Sequence, residues 1–219
     1  GFTISASWGE NDVSDVAVRY SGQSGRLKFA VGAGMARWAD SGKPNARGCA
    51  RVDAATAIDC WEIGGSLSVM DTETGLFLNA AAGQGYDKNI APLYGNVPGI
   101  DDTAEFYYLV GGIERTWFPL GKTTLFGQYW RRRMGAGVLY TGERIDATPL
   151  GAEALVSGAE VSIWGASVVQ ELAEGVEVYA SFNHTQSDIG TSPTGSMAGS
   201  LTTQIAPFDF LLAGMAVRF

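Results

Sequence analysis

The sequence lacks any apolar run of about 20 residues, the length that a membrane helix needs, although 46% of its residues are hydrophobic. Any membrane span in this chain would therefore be a β-strand. Basic residues are also scarce, since 15 Lys and Arg stand against 23 Asp and Glu and leave a net charge of -8. Phosphate binding needs clustered positive charge, so this balance argues against a nucleic-acid partner.

Cysteine is almost absent. The two cysteines, Cys49 and Cys60, lie in one polar stretch. In an oxidising compartment such a pair is predicted to form a loop disulfide. A metal pair and two free thiols are the alternatives, although no histidine or further cysteine is near enough in the sequence to complete a metal site.

The single histidine, His184, gives weak support to catalysis. A hydrolytic triad could draw on Ser181 or Ser187 together with Asp188, but residues so close along one strand do not produce triad geometry by spacing. No nucleophile elbow is present either. The sequence therefore predicts a protein that is not an enzyme.

Acidic loop residues are the only candidates for a metal ion. Asp101, Asp102 and Asp71, with nearby loop carbonyls, could hold calcium, but oxygen ligands are too common in loops for this spacing to be specific. No resident metal and no organic cofactor are predicted, and calcium in the external loops stays a minor alternative.

Proline is also scarce, whereas glycine and aromatic residues are abundant, as they are in β-barrels. Alternating apolar and polar residues predict about ten strands. They cover residues 2–9, 13–21, 26–38, 61–71, 76–86, 104–117, 123–133, 159–171, 176–186 and 207–219. Short glycine-containing turns near 22–25, 72–75, 118–121 and 172–175 alternate with long polar loops at 39–60, 87–103, 134–158 and 187–206. This alternation is typical of a transmembrane β-barrel.

The final strand predicts which side faces lipid. Its alternate residues form an apolar row that ends on an aromatic ring: Leu211, Ala213, Met215, Val217 and Phe219. Such a row suits a lipid-facing surface with its ring at the headgroup level, although an edge strand of a soluble sandwich is the alternative for this segment alone. Charges beside glycines on the opposite rows, and aromatics near strand ends, favour the membrane.

The polar rows supply the predicted pore-lining residues: Asp15, Arg19, Lys28, Glu62, Glu114, Gln128, Arg132, Glu177, Asn183 and Arg218. Mixed charge suits a weakly selective aqueous channel, and the alternative is that several of these residues only solvate an interior wall. Arg131 and Arg133 are predicted to face outward at the external rim, where lipopolysaccharide phosphates or a neighbouring subunit could pair with them. A plain solvated rim is equally compatible.

Four stretches carry a resemblance to a known family: residues 15–22, 112–129, 164–171 and the terminal strand. The strand, Phe-Pro-Leu-Gly-Lys turn and returning strand of 112–129 form the most specific of them. In these stretches the chain resembles the general trimeric porins of Gram-negative bacteria, most closely those of alpha-proteobacteria. The resemblance implies an outer-membrane homotrimer that passes small hydrophilic solutes by passive diffusion, with Phe219 as the signal for barrel assembly.

The chain differs from that family in strand number. Those porins have sixteen strands, and this chain matches strands seven to sixteen, so residues 1–219 are expected to form one barrel domain without its N-terminal strands and its constriction loop. The constriction residues of the family therefore have no counterpart here. A complete ten-stranded barrel is the alternative, with a lumen nearly filled by side chains. A substrate-selective porin and a small structural or enzymatic barrel are the alternative functions.

Overall fold

The computed structural model describes residues 1–9, 13–39, 59–93, 100–135, 144–146, 153–193 and 201–218. Ten long strands form one antiparallel sheet: β1 (Phe2–Gly9), β2 (Val13–Ser24), β3 (Leu27–Trp38), β4 (Cys60–Asp71), β5 (Leu76–Asp87), β6 (Thr103–Phe118), β7 (Gly121–Gly135), β9 (Glu153–Ala173), β10 (Val176–Pro193) and β11 (Leu201–Val217). A short strand, β8 (Arg144–Asp146), pairs with β9, and a four-residue helix, α1 (Ile90–Leu93), precedes β6. The predicted all-β class is confirmed.

Each long strand pairs with the next along the chain, so the sheet is an up-and-down meander. Its short connections depend on glycines with positive φ, a backbone conformation that other residues adopt at a cost. They are Gly25, Gly75, Gly121 and Gly175, one in each of the four predicted short turns. Within the described ranges no ladder joins β1 to β11, and no helix is long and apolar enough to cross a membrane.

The predicted boundaries were too short at the loop ends of the last three long strands. The structure extends β9 back to Glu153, β10 forward to Pro193 and β11 back to Leu201. Part of the predicted loops 134–158 and 187–206 is therefore strand. The Ser, Thr and Gly residues there give no apolar alternation, yet their backbones continue the ladder, as in the pairing of Ile189 with Thr203.

The sheet has two chemically different surfaces. Cross-strand partners point to the same side of a sheet, so the register assigns every strand residue to one side. We call the side that carries Asp15, Ala36 and Glu62, which are partners in adjacent strands, the polar face. The apolar face exposes aliphatic side chains from nearly every strand, and Leu211 reaches 82% exposure.

The two surfaces do not enclose a dry interior. Among the described residues only four hydrophobic side chains are buried, namely those of Trp38, Cys60, Ile90 and Val110. The apolar rows face outward from a single layer instead of packing against one another. A single sheet with an exposed aliphatic surface is the arrangement expected of a barrel wall in lipid.

Candidate functional site

The ten residues predicted to line a pore all lie on the polar face. Asp15 and Glu62 are placed there by the register through Ala36, and Gln128 is joined to Asn183 by a hydrogen bond of 2.7 Å across β9. The remaining members follow from strand alternation along the same strands. A role in lining a pore stays a prediction for each of them.

A groove of about 530 Å³ lies on the polar face near the long loops. We call it the loop-end groove, and its lining includes Asp15, Gly34, Glu62, Gly64, Phe106, Trp130 and Arg132. Gly34 and Gly64 are direct cross-strand partners. Because neither has a side chain, the floor of the groove stays open.

Two aromatic residues of this groove were missed by the sequence analysis. Phe106 lies directly opposite Arg132, and Trp130 is the next residue of β7 on the same face. The Phe106 ring covers Gly83, since a Cβ built on that glycine would lie 2.4 Å from the Phe106 Cε1 atom. Alternation along β6 places Phe106 on the same row as Glu114, and this row is the sequence signal for its position in the groove.

The charged groups of the loop-end groove are available to solvent. Asp15 accepts a hydrogen bond from the Ser7 hydroxyl, and the side chains of Glu62 and Arg132 are exposed. Glu105 also lines the groove, but the register places it opposite Arg133 on the apolar face. Within the part of the chain that the structure describes, Asp15, Glu62 and Arg132 form no ion pair. On the polar face the groove therefore presents two carboxylates and one guanidinium that can interact with a solute.

A hydrogen-bonded chain of polar side chains crosses the middle of the polar face. Gln128 Nε2 donates to the side-chain oxygen Oδ1 of Asn183 at 2.7 Å, and Asn183 Nδ2 donates to the Ser181 hydroxyl at 2.9 Å. The Ser167 hydroxyl donates to the Ser181 hydroxyl at 2.7 Å. This series of hydrogen bonds crosses β9 over Gly165, where an added Cβ would lie 2.6 Å from the Asn183 Oδ1 atom. Asn183 is buried by this packing.

At the short turns the charges of the polar face are mostly paired. Lys122 Nζ lies 3.0 Å from Glu114 Oε1, and Arg218 lies 3.3 Å from Glu177. Lys28 lines a smaller groove of about 360 Å³ together with Glu114. Pairing reduces the field that these groups can exert on a passing solute.

The two outward-facing arginines lie on the apolar face, as predicted. Arg131 makes a two-point contact with Glu160 at 2.8 and 2.7 Å. Arg133 lies 2.8 Å from Asp101. A lipopolysaccharide phosphate at this rim would have to compete with these carboxylates for the guanidinium groups.

The candidate calcium ligands do not come together. Asp71 lies at a short turn, 3.1 Å from Arg26, whereas Asp101 lies at the opposite, loop end of the sheet. In the described residues no group of three or more His, Cys, Asp or Glu side chains is arranged to hold a metal ion. The predicted absence of a resident cofactor is untested.

Two predicted features fall outside the described residues. Cys49, the predicted disulfide partner, is one of them, and Phe219, the predicted assembly signal, is the other. Cys60 is buried at the start of β4 beside Trp38. The disulfide and the terminal signal stay predictions.

His184 lies in β10 between strands β9 and β11. Ser181 and Ser187 both lie on the polar face, whereas His184 lies on the apolar face, so neither considered triad forms. Its Nδ1 atom instead lies 2.6 Å from Asp209 Oδ1 in the adjacent strand, and its ring centroid is 5.1 Å from that of Trp164. The structure thus contains an imidazole–carboxylate pair that sequence spacing did not indicate.

Comparison with solved structures gives a similarity in fold. No protein-family model and no curated protein matches the chain. A solved structure titled "Outer-membrane expressed OmpT of Vibrio cholerae" is similar, with 12% sequence identity and a TM-score of 0.47 over 99% of this chain. The chain spans 60% of the length of that solved chain. That protein is expressed in the outer membrane, the location predicted for this chain.

The prediction that this chain is not an enzyme is withdrawn as a correction. The similarity to OmpT gives no support for excluding catalysis, so that prediction is not kept. The physical reason is that the exclusion rested on residues close to His184 in sequence, whereas its partner Asp209 is 25 residues away. At this identity the similarity concerns the outer-membrane β-barrel class, and no activity is carried over from it.

Proposed function

We propose that the polar face lines a water-filled channel through an outer membrane, which small hydrophilic solutes and ions cross by passive diffusion. The observation that carries this proposal is the separation of side chains by face. Ten charged or amide residues lie on one side of a single sheet, and most of the exposed aliphatic residues lie on the other.

The energetic argument follows from the cost of each environment. A charged side chain at the middle of a bilayer costs about 2.5–3.5 kcal/mol on insertion scales, so a face with this many charges requires water. An apolar side chain gains roughly 1.5–3 kcal/mol when it leaves water, so the opposite face favours lipid. Both requirements are met when the sheet separates a wet lumen from hydrocarbon.

Closure of the barrel requires partners for the outer edges of β1 and β11. An unpaired strand edge in hydrocarbon leaves backbone N–H and C=O groups without hydrogen bonds, at several kcal/mol each. We propose that further strands close this sheet into the sixteen-stranded barrel that the resemblance implies. The mass of the native protein tests this, because direct pairing of β1 with β11 would require no additional chain.

Trimerisation is proposed through the apolar face. Small residues at Gly65, Ala80 and Ala82, flanked by Leu67 and Leu109, form a shallow groove of about 770 Å³ on that face. Side chains of a second copy could pack there. Migration as a trimer in unheated detergent, and as a monomer after heating, is the expected result, and a monomer under both conditions would contradict this part of the proposal.

Planar-bilayer recording tests the channel directly. The purified native protein should produce stepwise, ohmic current increments in KCl. Silence across salts and voltages would contradict the proposal. The same preparation should be assayed for peptide and lipid hydrolysis beside an Asp209→Asn variant, because activity lost in that variant would assign a catalytic role to the His184–Asp209 pair.

A further inference from the structure

We propose that the loop-end groove is a binding site for short zwitterionic peptides of about two to four residues. This inference rests on the proposed channel and names a solute class for it. The carrying observation is that carboxylates and a guanidinium line one groove whose floor is glycine and whose wall is aromatic.

The charges are separated across the groove. Glu62 belongs to β4 and Arg132 to β7, so they are three strand spacings apart, about 14 Å at about 4.8 Å for each spacing. The Glu and Arg side chains take up part of this distance. An extended peptide spans about 3.3–3.6 Å per residue, so two to four residues match the gap, whereas a free amino acid is too short to reach both ends.

The polarity of the groove suits a free peptide at neutral pH. The terminal ammonium group matches the carboxylates of Asp15 and Glu62, and the terminal carboxylate matches the planar guanidinium of Arg132, which can bind it through two hydrogen bonds. Within the described residues these three groups have no ion pair to give up. Binding therefore costs desolvation but does not require breaking an internal salt bridge.

The aromatic wall adds a contact for a peptide side chain. Phe106 is held over Gly83 and lies opposite Arg132, and Trp130 lines the same groove. Rings on a fixed wall offer apolar area at little conformational cost. A peptide with an apolar central side chain should therefore bind better than triglycine.

The test is block of single-channel current in the full native protein. Basal conductance in KCl is recorded first, because its absence would overturn the channel itself rather than the groove. The peptide Ala-Phe-Ala with free termini is then added, beside the same peptide with its amine acetylated, with its carboxylate amidated, and with both ends capped. We expect concentration-dependent block by the free peptide and a loss of about tenfold in apparent affinity on capping either end.

Variants locate the effect. Arg132→Gln should weaken block by the free peptide and leave block by the amidated peptide unchanged. Glu62→Gln should likewise weaken block by the free peptide and leave block by the acetylated peptide unchanged. Lys28→Gln is the matched control, since it removes one positive charge from the same face at the other end of the sheet. All three side chains are exposed, and a difference in electrophoretic migration between unheated and heated detergent samples verifies that each variant folds.

Normal conductance with equal block by free and doubly capped peptides would overturn the peptide site while leaving the channel intact. The same conclusion would follow if Lys28→Gln weakened block as much as Arg132→Gln does. In that case the loss of charge would weaken peptide block through the overall electrostatic field of the channel and not through contacts in the groove.

Discussion

The two ends of the polar face use charged residues differently. Near the short turns, Glu114 and Glu177 each contact a cation of the same chain. In the loop-end groove, Glu62 and Arg132 lie in one cavity without an ion pair among the described residues. Residue type and strand alternation are the same at both ends. A charged residue with an ion-pair partner in the same chain therefore stabilises the turn end, whereas one without such a partner remains available to a solute.

The turn end also contains the most restrictive backbone positions. Gly75 has φ of 75°, and a Cβ there would lie 2.0 Å from the Glu114 carbonyl oxygen. Gly25 has φ of 57° but no atom within 4 Å of such a Cβ. The Gly75 position is thus packed against a neighbouring strand, whereas a Cβ at Gly25 would meet open space.

The largest effect is expected when Gly75 is replaced. Gly25→Ala should lower the free energy of unfolding by about 1–2 kcal/mol, the cost of a left-handed backbone for a residue with a Cβ. Gly75→Ala should lower it further, because the Glu114 carbonyl must also move. Urea titration of protein refolded into liposomes measures both. Equal losses would contradict a structural role for packing at this turn.

The middle of the polar face should show an intermediate loss of stability. Asn183→Ala removes the partner of Gln128 and Ser181, two partly buried side chains, and each lost hydrogen bond costs about 0.5–1.5 kcal/mol. Asn79→Ala is the matched control on the same face, because Asn79 is only partly buried and has no hydrogen bond to Gln128. Urea titration compares the two variants. A larger loss for Asn79→Ala would contradict the importance of this hydrogen-bonded chain.

Selectivity should change when the loop-end groove loses a carboxylate. Glu62→Gln should shift the reversal potential in a salt gradient toward anion permeation by up to about fivefold in permeability ratio, since unit charges 4 Å apart in water interact by about 1 kcal/mol. Glu160→Gln removes the same charge from the apolar face and should leave the reversal potential unchanged. A shift of equal size for both variants would place Glu160 in the water-filled path and contradict the assignment of faces.

The smallest expected effect is the salt dependence of the reversal-potential shift caused by Glu62→Gln. The difference between wild type and Glu62→Gln should shrink as the solution is raised from 0.1 M to 1 M KCl, because the Debye length falls from about 10 Å to about 3 Å. Reversal potentials measured at both concentrations test this. A difference that does not depend on salt would indicate a changed shape of the groove rather than a changed charge.

Much of the sheet was predictable because its signals are local. Side chains alternate along a strand with a period of two, so polar and apolar rows can be recognised before any partner strand is known. Glycines in the four short turns likewise indicate a positive φ from local sequence alone. The ten polar-row residues were therefore assigned correctly to one face, including Arg132 between its outward-facing neighbours.

The site was less predictable because its contacts join residues far apart in the chain. Gln128 reaches Asn183 across an intervening strand, and Arg131 reaches Glu160 in the neighbouring one. Such contacts require the register, which is fixed only when strands pair. The same limit explains why the partner of His184 was sought within a few residues and missed.

The sequence by itself determined where the strands and turns lie and which residues share a face, since alternation and glycine act within a few residues. Only the tertiary structure decided which charges are paired, which aromatic residues line the groove, and how far β9, β10 and β11 extend. These properties depend on backbone pairing between distant segments, and a Ser- or Thr-rich segment becomes strand when its neighbour supplies hydrogen bonds.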